Sequence, residues 1–193
     1  MVAVAALPVA VILYFLLIQL TPPSFNGMVI QSPQRATDFT LNASTGERIS
    51  LSDLRGQTVL LFFGYTFCPD VCPTSIADLT QAMQILGPKK ADKVQVVFVS
   101  VDPERDTPDR LREYLSYFNP DFLGMTGTAD ELIAASTPFG IFYEKHDGTP
   151  ATGYLVDHTA TITLIDKDGY VRLVFPYGLG ADKMAEDLDH LVR

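Results

Sequence analysis

The chain has 193 residues, 91 of them apolar, and 18 of those fall within the first 20 positions, leaving 73 apolar residues among 173 together with all 37 charged side chains. A remainder of that size, about 42% apolar, is one ordinary globular domain, which excludes a disordered chain and a multi-span membrane protein. Fourteen Lys and Arg against 23 Asp and Glu give a net charge of −9, so the basic field that holds a phosphate backbone is missing and nucleic acid is excluded as a partner.

From Val2 to Leu20 the only clearly polar side chain is Gln19. A helix of that length, at about 1.5 Å per residue, nearly matches a hydrocarbon core of about 30 Å, so residues 1–20 read as a single transmembrane anchor. A cleaved signal peptide would carry a basic leading region, a shorter apolar stretch and a small-residue cleavage site, whereas no Lys or Arg precedes Arg35. Without a basic flank, orientation has to come from the chemistry of the domain. Residues 21–34, with Pro22, Pro23, Ser24, Asn26, Gly27, Ser32 and Pro33, have linker composition, and the domain runs from 35 to 193.

Asp38 to Ser50 alternates apolar and polar residues around Ser44-Thr45-Gly46, the pattern of a hairpin. Thr58 to Phe63 is a continuous apolar run rich in β-formers, which predicts a buried central strand. Ile76, Leu79, Met83 and Leu86 then recur at helical spacing, with Pro73 in the first turn and Gly87-Pro88 as the stop. Lys93 to Val101 is a second buried strand. Thr107 is the N-cap of a helix that starts at Pro108, turns Leu111, Tyr114, Leu115 and Phe118 inward and ends at Asn119-Pro120. A short strand near Phe122–Met125, a helix from about Thr128 to Ser136, strands at Thr159–Ile165 and Tyr170–Phe175 joined through Asp166-Lys-Asp-Gly169, and a helix over Ala181–Arg193 complete the pattern. Strands alternating with helices indicate an α/β fold with a mixed central sheet flanked by helices. Its ligand edge is the first strand-to-helix loop, Gly64–Pro73.

That loop holds the only two cysteines of the chain, Cys68 and Cys72. Cys72 stands at the mouth of a helix, where backbone N–H groups favour a thiolate, the form that attacks disulfides and binds metals. Pro69 and Pro73 disfavour helical geometry at the residue before each, so the pair is not a plain i, i+4 helical face. The bland alternative, two small buried hydrophobes or a static disulfide, is weakened by this placement at the sheet edge. Two soft thiolates suit Cu(I) and invite a third ligand, most often imidazole. Of three histidines, His146 and His190 read as solvated surface; His158, in Tyr154-Leu-Val-Asp-His158-Thr-Ala, precedes a strand in a segment able to fold toward the cysteines. Asp157 is placed either to orient that imidazole or to make a turn.

Four motifs in order, Leu51-Ser-Asp-Leu-Arg-Gly56, Phe63-Gly-Tyr-Thr-x-Cys-Pro-Asp-Val-Cys-Pro-Thr74, Val99-Ser-Val-Asp-Pro-Glu-Arg-Asp-Thr-Pro108 and Val156-Asp-His-Thr159, resemble the Sco/SenC family of copper-handling proteins. The resemblance implies a thioredoxin-like fold, a single membrane anchor, a copper site made by Cys68, Cys72 and His158, and a part in maturing the dinuclear copper centre of cytochrome c oxidase subunit II. A copper donor and a thiol reductant are further implied partners. Because disulfide chemistry belongs to oxidising compartments, the domain is expected in the periplasm or an equivalent space, a bacterial inner membrane being favoured over a mitochondrial one. Phe67 fills a variable position of the motif, and the missing basic flank is the other departure.

Two readings compete. A thiol-disulfide oxidoreductase would use Cys68 and Cys72 as a redox-active pair and has no need of His158. A peroxidase of the peroxiredoxin type expects Thr three residues before its reactive Cys behind an upstream Pro, whereas here Thr66 is two before Cys68 and the strand offers Phe62 and Phe63. Asp102, Glu104, Arg105 and Asp106 follow the second buried strand and read either as a docking surface or as a capped, solvated helix start.

Overall fold

The computed structural model describes residues 24–149 and 153–192. In chain order these form β1 (Met28–Val29), β2 (Thr40–Ala43), β3 (Arg48–Ser50), β4 (Thr58–Gly64), α1 (Val71–Leu86), β5 (Val94–Ser100), α2 (Pro108–Ser116), β6 (Leu123–Thr126), α3 (Ala129–Ser136), β7 (Tyr143–His146), β8 (Leu155–His158), β9 (Ile162–Ile165), β10 (Val171–Phe175) and α4 (Ala181–Leu191), with short helical turns at Leu51–Leu54, Pro88–Ala91 and Thr137–Phe139.

Eight strands make one mixed sheet in the order β1-β10-β9-β4-β5-β6-β2-β3. The pairs β4–β5 and β5–β6 are parallel and the rest antiparallel. Every residue of β4 is buried, as its unbroken apolar run requires of a strand covered on both faces. Phe62 opposes Phe98, and Gly64 opposes Ser100, so the segments that continue from β4 and β5 leave the sheet side by side. Helix α1 buries Ile76, Leu79, Ala82 and Met83 and packs beside α4, which buries Met184, Ala185 and Leu188. Helix α2 lies directly on β6, where a Cβ on Gly124 would meet Leu111 at 2.7 Å. Full burial of each large side chain in this core is worth about 1.5–3 kcal/mol.

The caps and turns follow the sequence. Thr107 accepts the Arg110 N–H at 3.2 Å, and Thr128 forms a capping box with Glu131. In the β9–β10 turn, Asp166 accepts the N–H of Asp168 and of Tyr170, while Gly169 takes a positive φ of 86°.

Three features differ from expectation. Within the stretch of linker composition, β1 adds an edge strand to β10. Both its residues are exposed, which gave no alternation to read. Next, β7 and β8 pair as a separate two-stranded ribbon (Tyr143↔His158, His146↔Leu155) rather than forming loops. Each strand is only four residues long and β7 is largely exposed, so a buried-strand pattern is missing. Finally, α1 starts at Val71, so Cys72 is itself helical although Pro73 follows it, while Pro73 stands in the first turn as expected. Proline's missing N–H costs nothing there, because first-turn donors have no partner within the helix. The apolar stretch 1–20 and its reading as an anchor lie outside the described residues. Among the described residues no helix is long and apolar enough to cross a membrane.

Candidate metal centre

The end of β4, the start of α1 and the end of β8 converge on one point. Cys68 ends a turn closed by its N–H on the Tyr65 carbonyl, and its sulfur faces the helix mouth, where it accepts the Cys72 N–H at 3.3 Å. Asp70 precedes the helix without capping it through its side chain, so the Cys68 sulfur fills the acceptor role there. Cys72 is completely buried and Cys68 partly so; both are free thiols. The Cys72 sulfur has its space because residue 64 is glycine: a Cβ there would lie 2.7 Å from Cys72 Sγ and 2.8 Å from the Phe98 ring.

His158 Nε2 stands 3.2 Å from Cys72 Sγ, and one ligand atom each from Cys68, Cys72 and His158 all lie within 4.8 Å of one another. The other ring nitrogen, Nδ1, is 3.2 Å from the Thr159 carbonyl. That carbonyl can only accept, which assigns the proton to Nδ1 and turns the Nε2 lone pair toward the sulfurs. Edges of Tyr65 and Phe62 hold the imidazole plane, with ring centroids 6.0 and 6.2 Å away. An open cleft of about 420 Å³, walled by Tyr65, Pro69, Val71, Leu155 and Ala160, leads to Cys68 and His158.

The two thiols ionise in opposite senses. A hydrogen bond from the Cys72 thiol, with further help from backbone N–H groups at the helix mouth, pulls the Cys68 thiol down to about 4 against the burial that opposes it. The Cys72 thiol is pushed up by the same hydrogen bond, by burial and by the neighbouring Cys68 charge. The thiolate expected at the helix mouth is therefore Cys68. Cys72 lies inside the first turn, where its side chain is buried away from the free amides.

Asp157 does not orient His158. Adjacent residues of a strand point to opposite sides, and the Asp157 carboxylate turns outward to His146 Nε2 at 2.7 Å. His146 and His190 are both exposed and lie away from the centre. In the turn after β5, Asp102 and Asp106 are buried rather than solvated, while Glu104 is exposed and Thr107 caps the helix that follows. Asp106 accepts Thr66 N at 2.9 Å, Thr66 Oγ1 at 2.5 Å and Ser100 Oγ at 2.6 Å, which ties the cysteine loop to the end of β5. Gly64, Tyr65 and Thr66 thus shape the centre without being singled out by residue chemistry, and Asp106 does so in a role other than those expected of it. The signal for them was positional: two buried parallel strands in register bring the residues that follow each into contact.

A model of the SCO1/SenC family matches residues 29–193, and the chain belongs to that family. The SCO2-like protein of Rickettsia felis is 39% identical over 133 residues, a stretch that covers 68% of this chain and 64% of that protein, so the chain spans less than two thirds of that relative's length. Bradyrhizobium japonicum ScoI with copper bound is 39% identical, with a TM-score of 0.72 over 82% of this chain and 99% of that one. Apo Sco1 from Thermus thermophilus is 42% identical, with a TM-score of 0.72 over 88% and 94%. The mixed α/β sheet described above is therefore the thioredoxin-like fold of the Sco proteins.

Proposed function

We propose that this chain is a metallochaperone whose cargo is one copper ion, held by Cys68 Sγ, Cys72 Sγ and His158 Nε2, and that it serves assembly of the dinuclear copper centre of cytochrome c oxidase subunit II. The observation that carries the reading is the convergence of two sulfurs and an imidazole nitrogen within 4.8 Å, with the opposite ring nitrogen already bonded. Two soft sulfurs and one imidazole suit copper. The related Bradyrhizobium protein, of the same fold, is a copper-bound ScoI.

On capture of Cu(I), the Cys68 thiolate and the His158 lone pair form bonds directly, and the Cys72 S–H bond breaks, its proton leaving to water as the second Cu–S bond forms. The formal charge of the loaded centre is about −1 with Cu(I) and about 0 with Cu(II), so neither state buries a large uncompensated charge. Closing the two thiols to a disulfide abolishes the site, and loading therefore needs a thiol reductant as well as a copper donor. The arrangement proposed with this function is an anchor at 1–20, a short tether ending at residue 25 and a copper domain that takes in the β1 edge strand and the Asn26–Gly27 clip, facing the periplasm or an equivalent extracytoplasmic space.

A second reading, a thiol-disulfide oxidoreductase, is favoured by one observation: the partly exposed Cys68 sulfur accepts the Cys72 N–H at the helix mouth, which favours its thiolate, beside a fully buried Cys72. Cys68 would attack a target disulfide to form a mixed disulfide and release one target thiolate. Cys72 would then give up its proton and displace the second target sulfur, leaving a Cys68–Cys72 disulfide and a reduced target.

Titrating the reduced chain with copper separates the two. The expected result is one ion per chain with sulfur-to-copper charge-transfer absorption, lost in Cys68→Ser and Cys72→Ser, and retention against a chelator that collapses in His158→Ala. Full retention in His158→Ala would reject the three-ligand centre and favour the oxidoreductase.

A further inference from the structure

The cysteines and the histidine belong to different structural units. Cys68 and Cys72 ride on the β4–α1 connection of the main sheet, while His158 ends β8 of a ribbon that shares no ladder with that sheet among the described residues. The sulfur-to-nitrogen distance therefore depends on the short link from His158 to β9 and on whatever else seats the ribbon. Val156 is buried in the core, and its N–H meets Tyr65 Oη at 3.3 Å. Further polar contacts come from the turn after β5, where Glu104 pairs with Lys145 of β7 at the exposed rim and Asp102 and Arg105 together hold Tyr154.

Arg105 Nη1 donates to the Tyr154 carbonyl at 3.0 Å, and its guanidinium lies over the Tyr154 ring at 3.6 Å. Asp102, fully buried, accepts Arg105 Nε on one carboxylate oxygen and Tyr154 Oη on the other, each at 2.5 Å. The buried ion pair thus spends its hydrogen bonds on the residue four positions before His158. The same guanidinium covers the ring of Phe67, next to Cys68, at 4.7 Å. Its Nη2 is buried with no hydrogen-bond partner among the described residues, as expected of a group held by aromatic faces on the cysteine side and the histidine side at once. One position on, Asp106 grips Thr66 of the cysteine loop. Five consecutive residues therefore hold both ligand-bearing segments.

We infer that Arg105, with Asp102 and Tyr154, is a positioning clasp that fixes His158 against the two cysteines and so controls how tightly copper is held. The inference rests on the three-ligand reading above. Arg105 touches no ligand atom and acts by seating the ribbon. Its planar fork meets the Tyr154 carbonyl, the Asp102 carboxylate and the rings of Tyr65, Phe67 and Tyr154 together, a combination that a shorter, tetrahedral cation does not reproduce.

The test measures Cu(I) retention by the reduced chain against bicinchoninate in Arg105→Met, Tyr154→Leu, His158→Ala and the Arg105→Met/His158→Ala double variant. Tyr154→Leu leaves the buried Asp102–Arg105 pair intact, so the result does not depend on the folding of one variant. Positioning groups of metal ligands contribute about 10- to 100-fold to affinity, and a loss in that range is expected in both Arg105→Met and Tyr154→Leu. Adding Arg105→Met to His158→Ala should cost nothing more, because the residue being positioned is gone. In the Cu(II) form, Arg105→Met should weaken the imidazole nitrogen hyperfine in the EPR spectrum while the sulfur-to-copper absorption stays. Wild-type retention in both single variants, an additive double variant, or joint loss of both spectral signatures would overturn the clasp. Failure of the three-ligand reading looks different: His158→Ala itself would then retain copper.

Discussion

Between Cys68 and Cys72 one proton is divided unequally, because only the Cys68 sulfur faces the helix mouth while the Cys72 sulfur is packed beneath Gly64. Alkylation reports this, since only the thiolate reacts. The iodoacetamide rate at Cys68 should be nearly flat at neutral pH and reach half its plateau at about 4, with Cys72 unreactive. A midpoint near the ordinary thiol value of 9.0 would contradict it. The stability consequence has a definite sign. Ionisation of Cys68 is favoured by folding, so its contribution is complete above the unfolded value and is lost as pH falls toward about 4. For Cys72 the folded value is raised, so its contribution is present below the unfolded value and is lost as pH rises beyond it. Spacing and position identified both cysteines. Position at the helix mouth pointed to Cys72 as the charged one, and the structure reverses this, because the charge depends on where each sulfur points around the first turn of α1.

Strand β4 and helix α1 meet so closely that the sheet must present bare backbone at its last residue. Gly64→Ala would drive a methyl group into Cys72 Sγ and the Phe98 ring, closer than van der Waals packing allows. The expected cost is about 1–3 kcal/mol, read as a lower urea midpoint at unchanged slope, together with weaker copper retention. An unchanged midpoint would mean that α1 can slide away from the sheet. The elements that build this contact were the legible ones: the runs Thr58–Phe63 and Lys93–Val101 announce buried strands, and Ile76, Leu79 and Met83 announce a helix face. The β7–β8 ribbon was not legible, although its last residue is the candidate nitrogen ligand. Two four-residue strands with one exposed partner carry no periodicity, and their pairing is a property of the tertiary seat, with Val156 in the core and Tyr154 on Asp102.

At the scale of the whole molecule, the domain begins earlier than composition suggests. Asp187, on α4 and fully buried, accepts Asn26 N at 2.9 Å, Asn26 Nδ2 at 3.0 Å and Gly27 N at 2.8 Å. Gly27 is also pressed against Phe175, where a Cβ would meet the ring at 2.6 Å. A truncation that starts at residue 35, where linker composition ends, strips every one of these donors from a buried carboxylate and removes β1. It should lose about 3–5 kcal/mol against a chain that starts at residue 24, measured by urea unfolding of the two side by side. Equal stability would show that Asp187 finds other partners. No pattern in the sequence marks this clip, because Asn-Gly between prolines reads as a turn and its acceptor lies 160 residues away.

The clip also sets a length. If residues 1–20 anchor the chain as proposed, only residues 21–25 separate the bilayer from the fixed point at Asn26, and five residues at full extension reach roughly 17 Å. On so short a leash the domain samples a thin layer over the membrane, and its effective concentration for an acceptor falls to nothing once the acceptor stands beyond that reach plus the span of the domain from Asn26 to the copper centre. Clients would then be sorted by height above the bilayer before any chemistry of sulfur and copper begins.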